Sequence, residues 1–137
     1  MPAPHLPTRP CVLVVFEDQP ESRWLRWLRP GFRHCFCLVR GEGGWIVCDS
    51  RSDGLVILPA PDCGVEPLAR SYARLGARVL AVAGRPARGR LLPPGPFTCV
   101  ELVKRVLGLN GCGILTPYRL YRRLKAQPSC WLEAGPA

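Results

Sequence analysis

At 137 residues, with a net charge of +9 and 8 cysteines, the chain is sized for one domain with a real core. Its basic residues are nearly all Arg and are scattered, with no aromatic-interleaved stripe, which argues against a nucleic-acid surface despite the charge. No apolar h-region opens the chain and no run reaches transmembrane length, so neither a membrane span nor an exported disulfide framework is expected, and the cysteines read as reduced thiols.

Residues 1–10 are proline-rich and read as an extended lead-in, in which His5 is incidental. Residues 11–16, a continuous apolar run, predict a buried strand. Glu17, Asp18, Gln19 and Pro20 open a short helix whose apolar surface is Trp24, Leu25, Trp27 and Leu28, ended by Pro30 and Gly31. Trp24 and Trp27 read as core or rim, and Gln19 as a helix-start residue with a lesser claim on an oxyanion hole.

Residues 32–39 predict a second strand, 40–43 a turn and 44–49 a third strand running back. If the loop is 40–43, Val39 pairs with Gly44 and His34 lies directly opposite Asp49. A two-residue loop would make the two diagonal neighbours on one face, and an odd loop would send them to opposite faces. An imidazole beside a carboxylate is how a base is oriented and its imidazolium stabilised. Asp49 reads alternatively as the start of the polar turn that follows it.

A fourth strand is expected at 54–58, a helix at 65–75 with Pro67 near its start, and a fifth strand at 77–83. Residues 84–97 form a Gly/Pro/Arg loop into the next helix. There Val100, Val103, Val106 and Leu107 make the apolar face, and Glu101, Lys104 and Arg105 the polar one. Thr98 is the expected N-cap and Gly108 the C′ residue, which puts Cys99 in the first turn, against unpaired N–H groups and the positive end of the dipole. The dipole supplies roughly 0.3–1 kcal/mol, whereas lowering a thiol pKa by about two units takes about 2.7 kcal/mol. A reactive Cys99 therefore needs a second partner, and His34 is the histidine inside a structured segment. A last helix starts at Thr116 and Pro117, residues 11–125 form one domain, and 126–137 is expected as a loose tail.

This order of elements resembles the circularly permuted branch of the NlpC-type papain-like cysteine hydrolases, which includes the YiiX-like and lecithin:retinol acyltransferase-like proteins. The likeness is carried by Arg33-His34-Cys35-Phe36-Cys37-Leu38, Trp45-Ile46-Val47-Cys48-Asp49 and Phe97-Thr98-Cys99-Val100-Glu101. It implies a small antiparallel α+β sheet of about five strands packed with helices. It further implies Cys99 as nucleophile, His34 as general base and acid, Asp49 as the orienting residue, and an acyl-enzyme on sulfur with the Cys99 N–H in the oxyanion hole. The chain departs from the family in carrying Cys35 and Cys37 where aliphatics are usual.

The reading is thus a cysteine amidase or peptidase without cofactor or metal, acting on a peptide or amide such as bacterial cell-wall peptide. Its expected setting is the cytoplasm or a phage particle with other particle proteins. The alternative is a non-catalytic assembly component keeping the same fold, and after it a basic nucleic-acid-binding module. Cys63, lying before a helix, is the rival nucleophile. Cys35, Cys37 and Cys48, with Cys11 or Cys112, offer sulfur for a metal, but their spacing lacks the paired knuckles of zinc modules and they read as core residues.

Overall fold

The computed structural model describes residues 11–18, 28–51, 54–83, 98–109 and 113–136. The expected lead-in 1–10, Gln19, Trp24, Trp27, the 84–97 loop and Cys112 lie outside them. Within the described residues the elements run β1 (Cys11–Glu17), β2 (His34–Gly41), β3 (Gly44–Arg51), β4 (Gly54–Ala60), α1 (Val65–Arg74), β5 (Arg78–Ala83), α2 (Cys99–Leu107), α3 (Pro117–Lys125) and β6 (Cys130–Ala134). The strands form a 6-stranded antiparallel sheet in the order β4-β3-β2-β1-β5-β6, so the molecule is a small α+β fold. No helix among the described residues is long and apolar enough to cross a membrane.

Helices cover both faces of the sheet, which explains why β1 is apolar without alternation. Leu13 and Val15 face one way, with Phe36, Leu38, Trp45, Val79 and Ala81, and meet Ala69 of α1. Val12, Val14 and Phe16 face the other way, with Cys35, Cys37, Leu80 and Val82, and meet Val100, Val103 and Leu107 of α2 and Leu120 and Leu124 of α3. Each fully buried Val or Leu in these layers contributes about 1.5–3 kcal/mol relative to exposure, so packing of α2 onto the sheet is secured by its aliphatics rather than by its polar residues. The packing of these aliphatics sets α2 behind β2 and β3.

Three expectations are corrected. The β2–β3 loop is Glu42-Gly43, two residues rather than four, because Gly41 pairs with Gly44 and Arg40 with Trp45. Arg40 stays in the strand since its guanidinium donates to the Cys63 carbonyl at 2.9 Å and to Asp62 Oδ1 at 3.2 Å. Gly44 has φ 134°, and a Cβ there would stand 3.0 Å from the Ala60 carbonyl oxygen, so only glycine fits where β3 leaves the hairpin beside β4.

The segment 126–137 is not a loose tail, because Cys130–Ala134 adds to β5 as a sixth strand. Glu133 fastens it, accepting from Arg78 Nη1 and the Tyr121 hydroxyl at 2.7 Å each and pairing with Lys125 at 3.2 Å. Finally, Lys104 does not lie on the solvent face of α2. It is buried under the segment leading to α3, with its ammonium donating to Glu101 Oε1 at 2.9 Å and to the Ile114 carbonyl at 3.5 Å. Its alkyl stem packs like an aliphatic side chain while the head reaches partners.

Candidate active site

The site forms where the β2–β3 ladder ends. Bridging pairs run from Gly41↔Gly44 to Cys37↔Cys48 and stop, although β2 continues back to His34 and β3 on to Arg51. Beyond the last pair, side chains join the two strands in place of the backbone. His34 Nε2–H donates to Asp49 Oδ1 at 2.8 Å, both residues being about 95% buried at 4% and 5% relative exposure. The realised two-residue loop makes them diagonal neighbours on one face, not directly opposed residues. Arg51 Nε donates to the other carboxylate oxygen at 3.1 Å, so Asp49 is held from two sides.

Cys99 approaches the same opening from α2. Thr98 caps the helix in extended conformation, its Oγ1 accepting the Glu101 N–H at 3.2 Å, and the first intrahelical bond runs from Leu102 N to the Thr98 carbonyl at 3.1 Å. Gly108 closes the far end in the left-handed region at φ 67°, where a Cβ would be strained. The Cys99 thiol, part-buried, packs against the core layer that holds Cys35, and its charge is coupled to the His34 ring and to the side chain and backbone N–H of Cys35. With Nε2 committed to Asp49, Nδ1 is the ring nitrogen left for the sulfur.

These contacts set the charges. At Cys99 the hydrogen bond from the Cys35 thiol, followed after the opposing cost of burial by the His34 ring and the Cys35 N–H, brings the thiol down to about 4. At His34 burial works against the imidazolium, but hydrogen bonds and negative charge from Asp49 and Cys99 outweigh it and raise the ring to about 9. Burial likewise works against the Asp49 carboxylate, and the bonds and charges of His34 and Arg51 overcome it, holding the group below its usual range. Between those values the site is a thiolate, an imidazolium and a carboxylate in a row. Such an arrangement can attack an electrophilic carbon and return a proton to a leaving group.

Of the sequence candidates, Cys99, His34 and Asp49 come together here, while Cys63 does not join them. Cys63 packs on the α1 face of the sheet, ahead of the first turn of α1, and its carbonyl serves as acceptor for Trp45 Nε1 at 2.9 Å. The sulfur cluster divides too. Cys37 and Cys48 face each other across the ladder, and their shared hydrogen bond raises the Cys37 thiol and lowers Cys48 to about 7. Cys11 packs with the α1 layer on the opposite face, and among the described residues no three His, Cys, Asp or Glu side chains converge to hold a metal ion. Two residues of the site carried no assigned role in the sequence reading. Cys35, read as core or possible metal ligand, is the thiol against Cys99, and Arg51, read as turn, braces Asp49. Cys35 follows His34 by one position and Arg51 follows Asp49 by two, which is the only signal they carried.

The fold and site define a small α+β protein with a cysteine–histidine–aspartate cluster at one end of its sheet. No protein-family model, curated protein or solved structure matches the chain.

Proposed function

We propose that the protein is a cysteine hydrolase that cleaves an amide through a thioacyl-enzyme, in the manner of the permuted papain-like hydrolases it resembles. The observation that carries this reading is the buried His34–Asp49 hydrogen bond of 2.8 Å, with the Cys99 thiol coupled to the same ring. The Cys99 thiolate attacks the amide carbonyl, and the oxygen gathers negative charge. The N–H groups of Cys99 and Val100 are not used by the Thr98 cap or by the first helical bond, and they face the head of the dipole, so they are the donors for that oxygen. As the C–N bond breaks, His34 passes its proton to the departing amine. His34 then takes a proton from water, whose oxygen attacks the thioester, and the acid leaves with the thiolate restored. Asp49 keeps the ring aligned in both steps and stabilises its charged form.

The resemblance makes bacterial cell-wall peptides, in a phage-borne or cytoplasmic protein, the first substrate class to assay. Iodoacetamide labelling with peptide mapping tests the chemistry independently of substrate. Cys99 is expected to be alkylated first among the thiols, with an acidic apparent pKa that His34→Ala abolishes. Slow, uniform labelling of all the cysteines would exclude the proposal.

A further inference from the structure

The part of the cluster that hydrolysis does not consume is Cys35. Its thiol is wholly buried in the core layer against which Cys99 packs, is coupled to the Cys99 sulfur, and has no part in proton transfer to an amide. The other described thiols are placed differently. Cys37 is engaged across the ladder with Cys48, Cys11 and Cys63 lie on the opposite face, and Cys130 bonds the Leu132 carbonyl at 3.9 Å on the far edge strand. Cys99 is part-exposed at the head of its helix, so an oxidant reaches it before it reaches Cys35.

Resting on the reading of Cys99 as a reactive thiolate, we propose that Cys99 and Cys35 are a peroxide-oxidised, reversible disulfide pair, with Cys99 the sulfur first oxidised and Cys35 the one that resolves it. In the first step the Cys99 thiolate attacks the terminal oxygen of a hydroperoxide. The O–O bond breaks, the sulfur is oxidised by two electrons to sulfenic acid, and the alkoxide (hydroxide, from hydrogen peroxide) leaves as alcohol or water with the His34 proton. In the second step the Cys35 sulfur attacks the Cys99 sulfur. The S–O bond breaks, the sulfenic hydroxyl leaves as water with the Cys35 proton, and the S–S bond forms.

The environment favours this order. In the resting state the hydrogen bond to Cys99, burial and the negative charge of Cys99 hold the Cys35 thiol well above its ordinary value, so it stays protonated. Conversion of Cys99 to a neutral sulfenic acid removes that charge and supplies an oxygen in the place of the acceptor sulfur. A disulfide there withdraws the nucleophile and spares it from sulfinic acid, and a small-molecule dithiol restores both thiols.

The full chain is treated with hydrogen peroxide in slight excess, blocked with N-ethylmaleimide and mapped by mass spectrometry, with Cys99 alkylation rates measured before oxidation and after dithiothreitol. The expected product is one cross-link joining the Cys35 and Cys99 peptides, with loss of Cys99 labelling that dithiothreitol restores. In Cys35→Ala, and in the closer-fitting Cys35→Ser should Ala fail to fold, Cys99 is expected to advance to sulfinic acid and its labelling to be lost irreversibly. A rapidly alkylated Cys99 that becomes sulfinic acid in the wild type while Cys35 stays free, or a Cys37–Cys48 disulfide forming first, overturns the disulfide and leaves the hydrolase reading standing. A Cys99 neither alkylated quickly nor oxidised overturns both.

Discussion

His34 and Asp49 bond across β2 and β3 where the backbone ladder has already stopped, so a side-chain contact of 2.8 Å does the joining that main-chain pairs do elsewhere in this hairpin. Both groups are buried, and each offsets the cost of keeping the other charged there. The relationship fixes the ring in the plane that α2 approaches, and the behaviour of Cys99 with pH follows from it.

The thiolate persists down to about 4 and the imidazolium up to about 9. Hydrolysis is therefore expected to give a bell-shaped kcat/KM profile with limbs near those values. Alkylation of Cys99 should show the acidic limb without substrate. A single limb near the ordinary thiol pKa of about 8.5 would remove the ion pair from the account.

Folding stability carries the same signature. Cys99 has its folded pKa depressed, so its contribution is present above the unfolded value and is lost as pH falls through about 4. His34 has its folded pKa raised, so its contribution is present below about 6.5 and is lost as pH rises through about 9. Between about 6.5 and the ordinary thiol value of about 8.5 the two slopes oppose each other and cancel. Between about 6.5 and 4 only the Cys99 slope remains, about one proton's worth, so the melting temperature is expected to fall as pH is lowered across that window. Cys99→Ser should flatten it, and an equally steep fall in that variant would assign the effect to other groups.

Asp49→Ala leaves the His34 ring without its anchor and leaves the Arg51 guanidinium without its acceptor at 3.1 Å. Breaking a buried charged pair from one side costs about 3–5 kcal/mol, and a ring misplaced by about 1 Å costs on the order of 100-fold in rate. Asp49→Asn keeps one acceptor, for His34, and loses the charge and the acceptor for Arg51, so it should fold better than Asp49→Ala while its alkaline limb moves to lower pH. An unmoved limb in Asp49→Asn would mean that the carboxylate charge does not support the imidazolium.

The strands were legible because a strand buried on both faces must be apolar throughout, as 11–16 is. The His34–Asp49 pairing was legible through parity, since any even loop keeps the two on one face. Loop length was not legible. Arg40 stays in β2 because of Asp62 and Cys63, residues that only the folded sheet brings near it. The strand at Cys130–Ala134 escaped for a similar reason, because Glu133 finds Arg78 and Tyr121 across elements far apart in the chain. Cys35 alternates away from His34 along β2, and that both reach Cys99 depends on where the ladder ends, which no local pattern encodes.

The first turn of α2 is capped by Thr98, whose Oγ1 accepts the Glu101 N–H at 3.2 Å. Thr98→Ala should lower stability by about 1 kcal/mol and loosen the turn that presents Cys99. Thr98→Ser should restore both. A large loss of rate in Thr98→Ala with unchanged stability would give Thr98 a role beyond capping.

Cys35 is expected to tune Cys99 as well as neighbour it. Its thiol is the largest single influence lowering the Cys99 pKa, ahead of the His34 ring. Removing the donor in Cys35→Ala should therefore move the acidic limb of Cys99 alkylation to higher pH while the alkaline limb of hydrolysis stays near the wild-type position. The backbone N–H of Cys35 and the His34 ring remain in that variant, so the limb should stop short of the ordinary thiol range. Cys35→Ser keeps an O–H donor in the same place and should hold the limb close to wild type. Were Ala and Ser to move it equally, the shift would come from altered packing at β2, since that is what the two substitutions share and the hydrogen bond is what separates them.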